Sequence, residues 1–381
     1  MDTVMVTDMS GFLQEQAAQA PDDIKEFYYA IEDLHERRLW KQLTDVLIKF
    51  FDDPKSLSSR YALFFQFVDS FHANINQLKY AYMGLKSIES CSNEEALKSL
   101  EAIKQRIDKE KSIDAFVYTQ CAIARVKLVL GDSEAALDIL TSISKIIDKF
   151  DYVEGIINAA YYSVSADYYK SKGDFAQFYR HCLLYISCID LGVQTGQELL
   201  EKAIDLSVAA VLGEIYNFGD LILHPVFEKM VNTEFQWLHD LVIAMNAGNL
   251  KEFEALVGHV HKLPLLKDAI PFLGQKIRLL ALLELVFQLS PSQRLLSFKT
   301  IAETTRIPTY EVELLVMRAL SLGLIDGEID QVAEIVRISS VQSRILNKEQ
   351  IANMETRLRE WSQGVKNLSR VVETSSKGVI V

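Results

Sequence analysis

Proline and glycine are scarce for a chain of this size, at 7 and 16 of 381 residues. Their scarcity excludes collagen-like and linker-like architectures and leaves long stretches free to be helical. Cysteine is scarcer. Cys91, Cys121, Cys182 and Cys188 form no CxxC pair and have no histidine at ligand spacing, which excludes a disulfide framework and a zinc knuckle. Reduced thiols in an intracellular protein are expected. Basic residues are outnumbered, 40 Lys and Arg against 52 Asp and Glu, giving a net charge of −12. That is the wrong sign for a general binder of nucleic acid or of acidic membranes, because such affinity depends on Lys and Arg displacing counterions. No segment approaches the roughly 18 uninterrupted apolar residues of a membrane span. The opening MDTVMVTDMSGFLQEQ carries early aspartates and no apolar run, unlike a signal peptide. Cytoplasm and nucleus are the expected compartments, although no basic cluster argues for autonomous nuclear import.

Catalytic signatures are missing too. There is no GxxxxGK[ST] loop, no GxGxxG after a strand, no GxSxG elbow and no HExxH. His259 and His261 in GHVHKLP are the one pair resembling metal ligands. A metalloprotease of the JAMM type would continue this HxH with Ser and Asp at fixed spacing. Here the eighth residue after His261 is Ala269, and no SxxD follows. The carboxylate pairs Asp22/Asp23, Asp52/Asp53 and Glu94/Glu95 fall at predicted helix starts or turns, where capping explains them. Tyr28/Tyr29, Tyr161/Tyr162 and Tyr168/Tyr169 could stack on bases, but helical spacing and a lack of basic neighbours favour core packing. Neither a catalytic residue, a cofactor nor a metal is expected.

What the chain does have is helical periodicity. Gly followed by Asp or Asn recurs at Gly131, Gly173, Gly219 and Gly248, at gaps of 42, 46 and 29 residues, each time between apolar-periodic stretches. Glycine supplies the left-handed end of one helix and Asp or Asn caps the next. The spacing suits helical hairpins and predicts a right-handed solenoid resembling tetratricopeptide repeats over 22–265, after a loosely ordered 1–21. QKIRLLALLELVFQLSP, apolar nearly all round and stopped by Pro291, predicts a buried strut.

Elements then shorten. FKTIAETT and TYEVELLVMRALSL read as a helix-turn-helix, Gly323 as a stop, and GEIDQ with IVRISSV as an antiparallel wing turning at VAEI, or at Asp326-Gly327. Such modules often read DNA, yet residues 290–345 carry six positive and seven negative side chains. Glu311 and Glu313 stand where a reading helix meets phosphates. Val312, Leu315, Val316, Ala319 and Leu320 form a core face. Tyr310, Leu314 and Met317 form a second stripe, either buried within the chain or offered to another protein. Last, Ile351, Met354, Leu358, Trp361, Val365, Leu368 and Val372 alternate at spacings of three and four, a heptad seam over 346–373. Asn347 with Gln350 makes a near capping box, Leu346 can staple onto Ile351, and a frayed tail is expected over 374–381.

Helical hairpins, a buried strut, an acidic winged helix and a terminal heptad helix together resemble the PCI family, named for the proteasome lid, the COP9 signalosome and translation initiation factor three. The strings LLGEIYNFGDLILHPVFEKM, FQWL, AGNLKEFEAL, YEVELLVMRALSLGLIDGEIDQV and LREWSQGVKNL narrow the resemblance to a subunit of the proteasome lid. The resemblance implies a mainly α fold with a PCI domain over about 170–345. It also implies a non-catalytic scaffold in a hetero-oligomer supporting ubiquitin-dependent degradation. Its expected partners are other PCI subunits of the lid, the lid deubiquitinase and a ubiquitin-receptor subunit. The alternatives are a scaffold in a sister complex, the signalosome or the initiation factor, and a nucleic-acid-binding regulator.

Overall fold

The computed structural model describes residues 6–19, 22–109, 111–149, 154–189, 196–289, 294–342 and 348–376. The Pro291 stop and the Leu346 and Asn347 cap lie outside them. The chain divides into two compact units, Met1–Val193 and Gln194–Val381.

The first unit is helical: α1 (Val6–Gln19), α2 (Asp22–Glu36), α3 (Trp40–Asp52), α4 (Arg60–Gln66), α5 (Gln77–Ile88), α6 (Asn93–Arg106), α7 (Ile113–Val129), α8 (Ser133–Ile147), α9 (Gly155–Lys172) and α10 (Phe175–Ser187). Neighbouring helices pack as antiparallel-style hairpins, α2 on α3, α7 on α8 and α9 on α10. Gly131 and Gly173 have φ of 90° and 76°, and the following Asp132 and Asp174 accept hydrogen bonds from Ala135 N and Gln177 N at 3.3 and 3.1 Å. This is the expected stop-and-cap. A phenylalanine-rich core runs through Phe50, Phe51, Phe64 and Phe67, in edge contacts such as Phe50 on Phe51 at 5.8 Å. The N-terminus differs from expectation: α1 is a helix packed on α2, with Leu13 and Ala17 buried. Burying those two side chains gives an otherwise unremarkable polar segment a reason to order.

The second unit contains α11 (Gly196–Leu212), α12 (Gly219–Ile222), α13 (Pro225–Glu228), α14 (Gln236–Asn246), α15 (Leu250–Val260), α16 (Pro264–Lys267), α17 (Ile270–Gln288), β1 (Leu295–Ser297), α18 (Phe298–Thr305), α19 (Thr309–Ser321), β2 (Ile325–Asp330), β3 (Ile335–Val341) and α20 (Lys348–Ser376). The strut is α17, packed on α14 and α15 as well as on α18 and β3. It joins a helical hairpin to a winged helix. Gly248 repeats the stop-and-cap, with φ 65° and Asn249 accepting from Lys251 N at 3.2 Å. Gly219 does not. It opens α12 rather than closing a helix, because Asn217 Oδ1 accepts from its N–H at 3.2 Å in an Asx-type turn.

The sheet has the order β1-β3-β2, antiparallel throughout. The wing turns at 331–334, where Asp330 Oδ1 accepts from Ala333 N at 2.9 Å and Glu334 takes φ 54°. Asp326-Gly327 is instead a register shift inside the β2–β3 ladder. Strand β1 is an addition to the sequence reading: three residues are too few to show a period, and pairing with β3 creates it.

Candidate protein-interaction surfaces

Helix α19 is two-faced. Val312, Val316 and Ala319 are buried against the module's own core. Tyr310, Leu314 and Met317 are 80%, 71% and 54% exposed, so the second stripe is not buried within the chain. An apolar stripe left wet on a folded module is the mark of an interaction surface. Its N-terminal end carries Glu311, exposed, and Glu313, which accepts from Gln331 Nε2 of the wing turn at 3.0 Å. Two carboxylates therefore stand where a DNA reader would meet phosphate, and one is tied to the wing.

Beside the stripe, a cavity of about 110 Å³ opens between α17 and α19, lined by Arg278, Leu279, Ile307, Glu311, Leu314 and Arg318 among others. Gln275 Oε1 accepts from Arg318 Nη1 at 2.6 Å across its wall. The module is braced to the hairpin by Arg306, whose left-handed backbone (φ 51°) ends α18 and whose Nη1 meets Glu254 Oε2 of α15 at 2.9 Å.

Helix α20 carries the second surface. Ile351, Met354, Leu358, Trp361, Val365, Leu368 and Val372 are all exposed, Trp361 at 70%. The described side chains from 351 to 375 are exposed on every face of the helix. Among the described residues no element covers this seam, and its spacing is that of helices that pack on other helices.

The remaining candidates are dispersed or structural. His259 and His261 are exposed at the end of α15, and among the described residues no group of three His, Cys, Asp or Glu is placed to hold a metal. Cys121 and Cys182 are buried, and Cys91 and Cys188 half-buried. Burial pushes the Cys121 thiol up to about 12, which suits an inert core residue rather than a nucleophile. Ser92 caps the helix that Glu94 and Glu95 begin, and Asp53 caps the turn Pro54–Ser56. Asp52 accepts from Tyr82 Oη at 2.7 Å. Tyr28 and Tyr168 are core residues, while Tyr161, Tyr162 and Tyr169 gather round His181, with Tyr169 stacked on it at 5.1 Å. One basic neighbour was overlooked: Lys172 Nζ lies 5.2 Å from the Tyr168 ring.

The sequence reading also missed Lys276. Within the apolar run of α17 it is 1% exposed, and its Nζ donates to the carbonyls of Ala210, Val211 and Gly213 at 2.6, 3.0 and 2.6 Å. These are the unpaired acceptors at the end of α11. The rings of Tyr216 and Phe218 lie 5.7 and 5.1 Å from the same nitrogen. Burial pushes its pKa down to about 7, with Glu214 acting against the fall. A cation inside an apolar helix was the available signal, carried by Lys276 and by Arg278 two residues on, which lines the α17–α19 cavity.

Comparison with known proteins agrees with this layout. Residues 27–242 match the PSD13 N-terminal repeats, 257–340 the PCI domain and 344–376 the Rpn9 C-terminal helix. The chain is 62% identical over the full length of both proteins to the probable 26S proteasome regulatory subunit rpn9 of Schizosaccharomyces pombe. It is 38% identical to the 26S proteasome regulatory subunit RPN9 of Saccharomyces cerevisiae, covering 95% of this chain and 96% of that one. To the 26S proteasome non-ATPase regulatory subunit 13 of Dictyostelium discoideum it is 32% identical, over 94% of this chain and 95% of the other. With the repeats, the PCI module and the terminal helix all matched in order, the chain belongs to the Rpn9, or non-ATPase subunit 13, family of 26S proteasome regulatory subunits.

Proposed function

We propose that this protein is a non-catalytic structural subunit of the proteasome lid, supporting lid assembly and ubiquitin-dependent protein degradation. In this reading the helical repeats over 22–265 form the solenoid part of the subunit, the strut and winged helix over 266–345 pack on a neighbouring PCI module, and the helix over 346–373 enters a helical bundle. The partners are other PCI subunits of the lid, the lid deubiquitinase and a ubiquitin-receptor subunit. Any influence on deubiquitination is then indirect, through placement. The compartments are cytoplasm and nucleus.

The observation that carries this is the seam of α20, seven apolar side chains exposed together on a helix matched to the Rpn9 C-terminal helix. Helices of this type gain stability by burying the seam against partner helices. The stripe Tyr310, Leu314 and Met317 supports a second contact through the winged helix.

The test is purification from cells through a tag on this chain. Recovery of lid subunits and proteasome ATPases is expected. Recovery of initiation-factor or signalosome subunits in their place would move the protein to a sister complex.

A further inference from the structure

We propose that the cavity between α17 and α19 is a socket for one acidic side chain of the adjoining lid subunit, its carboxylate taken by Arg278 and Arg318 and its methylenes by Leu279 and Leu314. The proposal rests on the scaffold reading and adds to it the chemistry of the partner.

Size comes first. A volume of about 110 Å³ is a few times the roughly 30 Å³ share of one water. It is well below the roughly 300–1,000 Å³ of small-molecule sites. Such a volume suits a single side chain.

Charge comes second. Some arginines of this acidic chain are matched to acids, as Arg60 is to Glu89, Arg106 to Asp69, Arg125 to Asp167 and Arg306 to Glu254; what sets Arg278 and Arg318 apart from the other unmatched arginines is that they meet in one cavity. Arg278 and Arg318 share the wall of one cavity, and among the described residues neither has a carboxylate partner. The acceptor that Arg318 does have, Gln275 Oε1 at 2.6 Å, is neutral. It orients the guanidinium without cancelling its charge. Two cations beside apolar walls, Arg318 oriented by Gln275, suit a carboxylate, which a guanidinium can bind through two parallel hydrogen bonds.

The third wall selects among anions. Glu311 lines the same cavity, so the three charged side chains leave a surplus of one positive charge. That balances one carboxylate and disfavours a doubly charged phosphate. Leu314, on the stripe and exposed, lies at the cavity edge, so an acidic residue flanked by apolar ones would engage both features.

The experiment uses the full chain and purified lid assembled without it, with wild type and variants competing for incorporation. Arg278→Gln with Arg318→Gln is expected to weaken binding about 10- to 100-fold and to flatten its salt dependence. Arg278→Lys with Arg318→Lys should keep the salt dependence while losing part of the affinity. Arg318 is exposed and Arg278 half-buried, so circular dichroism of the variants should match wild type. A photo-cross-linker at Leu314 should join a neighbouring lid subunit at a segment containing Asp or Glu. Equal affinity and salt slope for the glutamine pair would overturn the socket, as would a cross-link to a second copy of this chain or to nucleic acid. Failure of the wild-type chain itself to join the lid would instead overturn the scaffold reading.

Discussion

Lys276 Nζ stands 2.6 Å from the carbonyl oxygen of Gly213, so a side chain in the middle of α17 closes the end of α11. Like the carbonyls of Ala210 and Val211, that oxygen takes Lys276 Nζ as its hydrogen-bond donor among the described residues. Lys276→Met keeps the length and apolar stem but strands the acceptors, at a cost of about 2–4 kcal/mol. Amide hydrogen exchange across 210–218 should speed up by at least about tenfold. Unchanged protection there would show that the carbonyls find other donors.

The same lysine makes stability depend on pH. Its folded pKa, about 7, lies below the usual 10.5, so between those values the unfolded chain binds the extra proton and stability rises with pH. The slope is up to about 1.4 kcal/mol per pH unit, present above pH 7 and absent below it. Urea titrations at pH 7, 8 and 9 should show a rise for wild type that Lys276→Met removes. Parallel curves for the two proteins would mean the lysine stays charged in the fold.

Gly248 meets α17 backbone to backbone. A Cβ added there would lie 2.7 Å from Ala281 Cα, at a φ of 65°. Gly248→Ala thus combines left-handed strain with a clash that no rotamer relieves, about 2–4 kcal/mol in all. Gly323 has the same backbone sign, φ 66°, with open space around it. Gly323→Ala should cost only the strain, about 1–2 kcal/mol. Thermal melts of the two variants compare them directly, and equal losses would remove the steric part of the account.

Leu358→Asp with Trp361→Asp alters two exposed positions of α20, so the protein's own stability should change by less than about 0.5 kcal/mol. Co-purification with the lid should nonetheless disappear. Circular dichroism establishes the first point and tagged purification the second; a variant that still enters the lid would rule out the bundle assignment.

The winged helix should ignore DNA. With Glu311 and Glu313 on the reading helix, a gel shift at low salt is expected to show no retained complex. Tight binding that weakens steeply with salt would reverse the charge argument.

Legibility in the sequence followed the strength of each physical signal. The hairpins around Gly131, Gly173 and Gly248 were readable because a left-handed stop and a capping side chain leave a local signature. Gly219 has the same letters and a different role, since Asn217 beside it diverted the backbone. The two apolar faces of α19 and the seam of α20 were readable from spacing, because periodicity marks which side chains share a face, but that Tyr310, Leu314 and Met317 stay exposed was left open by the sequence and is seen only in the structure. Lys276 and Arg278 were not. A cation in an apolar run marks each position, but what it does depends on what α11 and α19 bring to α17, long-range geometry that no local pattern carries. Strand β1 and the register of the wing belong with them, since pairing partners determined both, whereas the turn around 332–334 was readable from the sequence.

The exposed seam of α20 has a consequence for the cell's accounting of this protein. A newly made copy presents a large continuous apolar surface until other helices cover it. Surfaces of that kind drive self-association as concentration rises. In the bundle reading proposed above, an excess of this subunit over its partners is unstable in a colloidal sense even when every copy is folded, and its useful abundance is set by the supply of the helices that cover the seam.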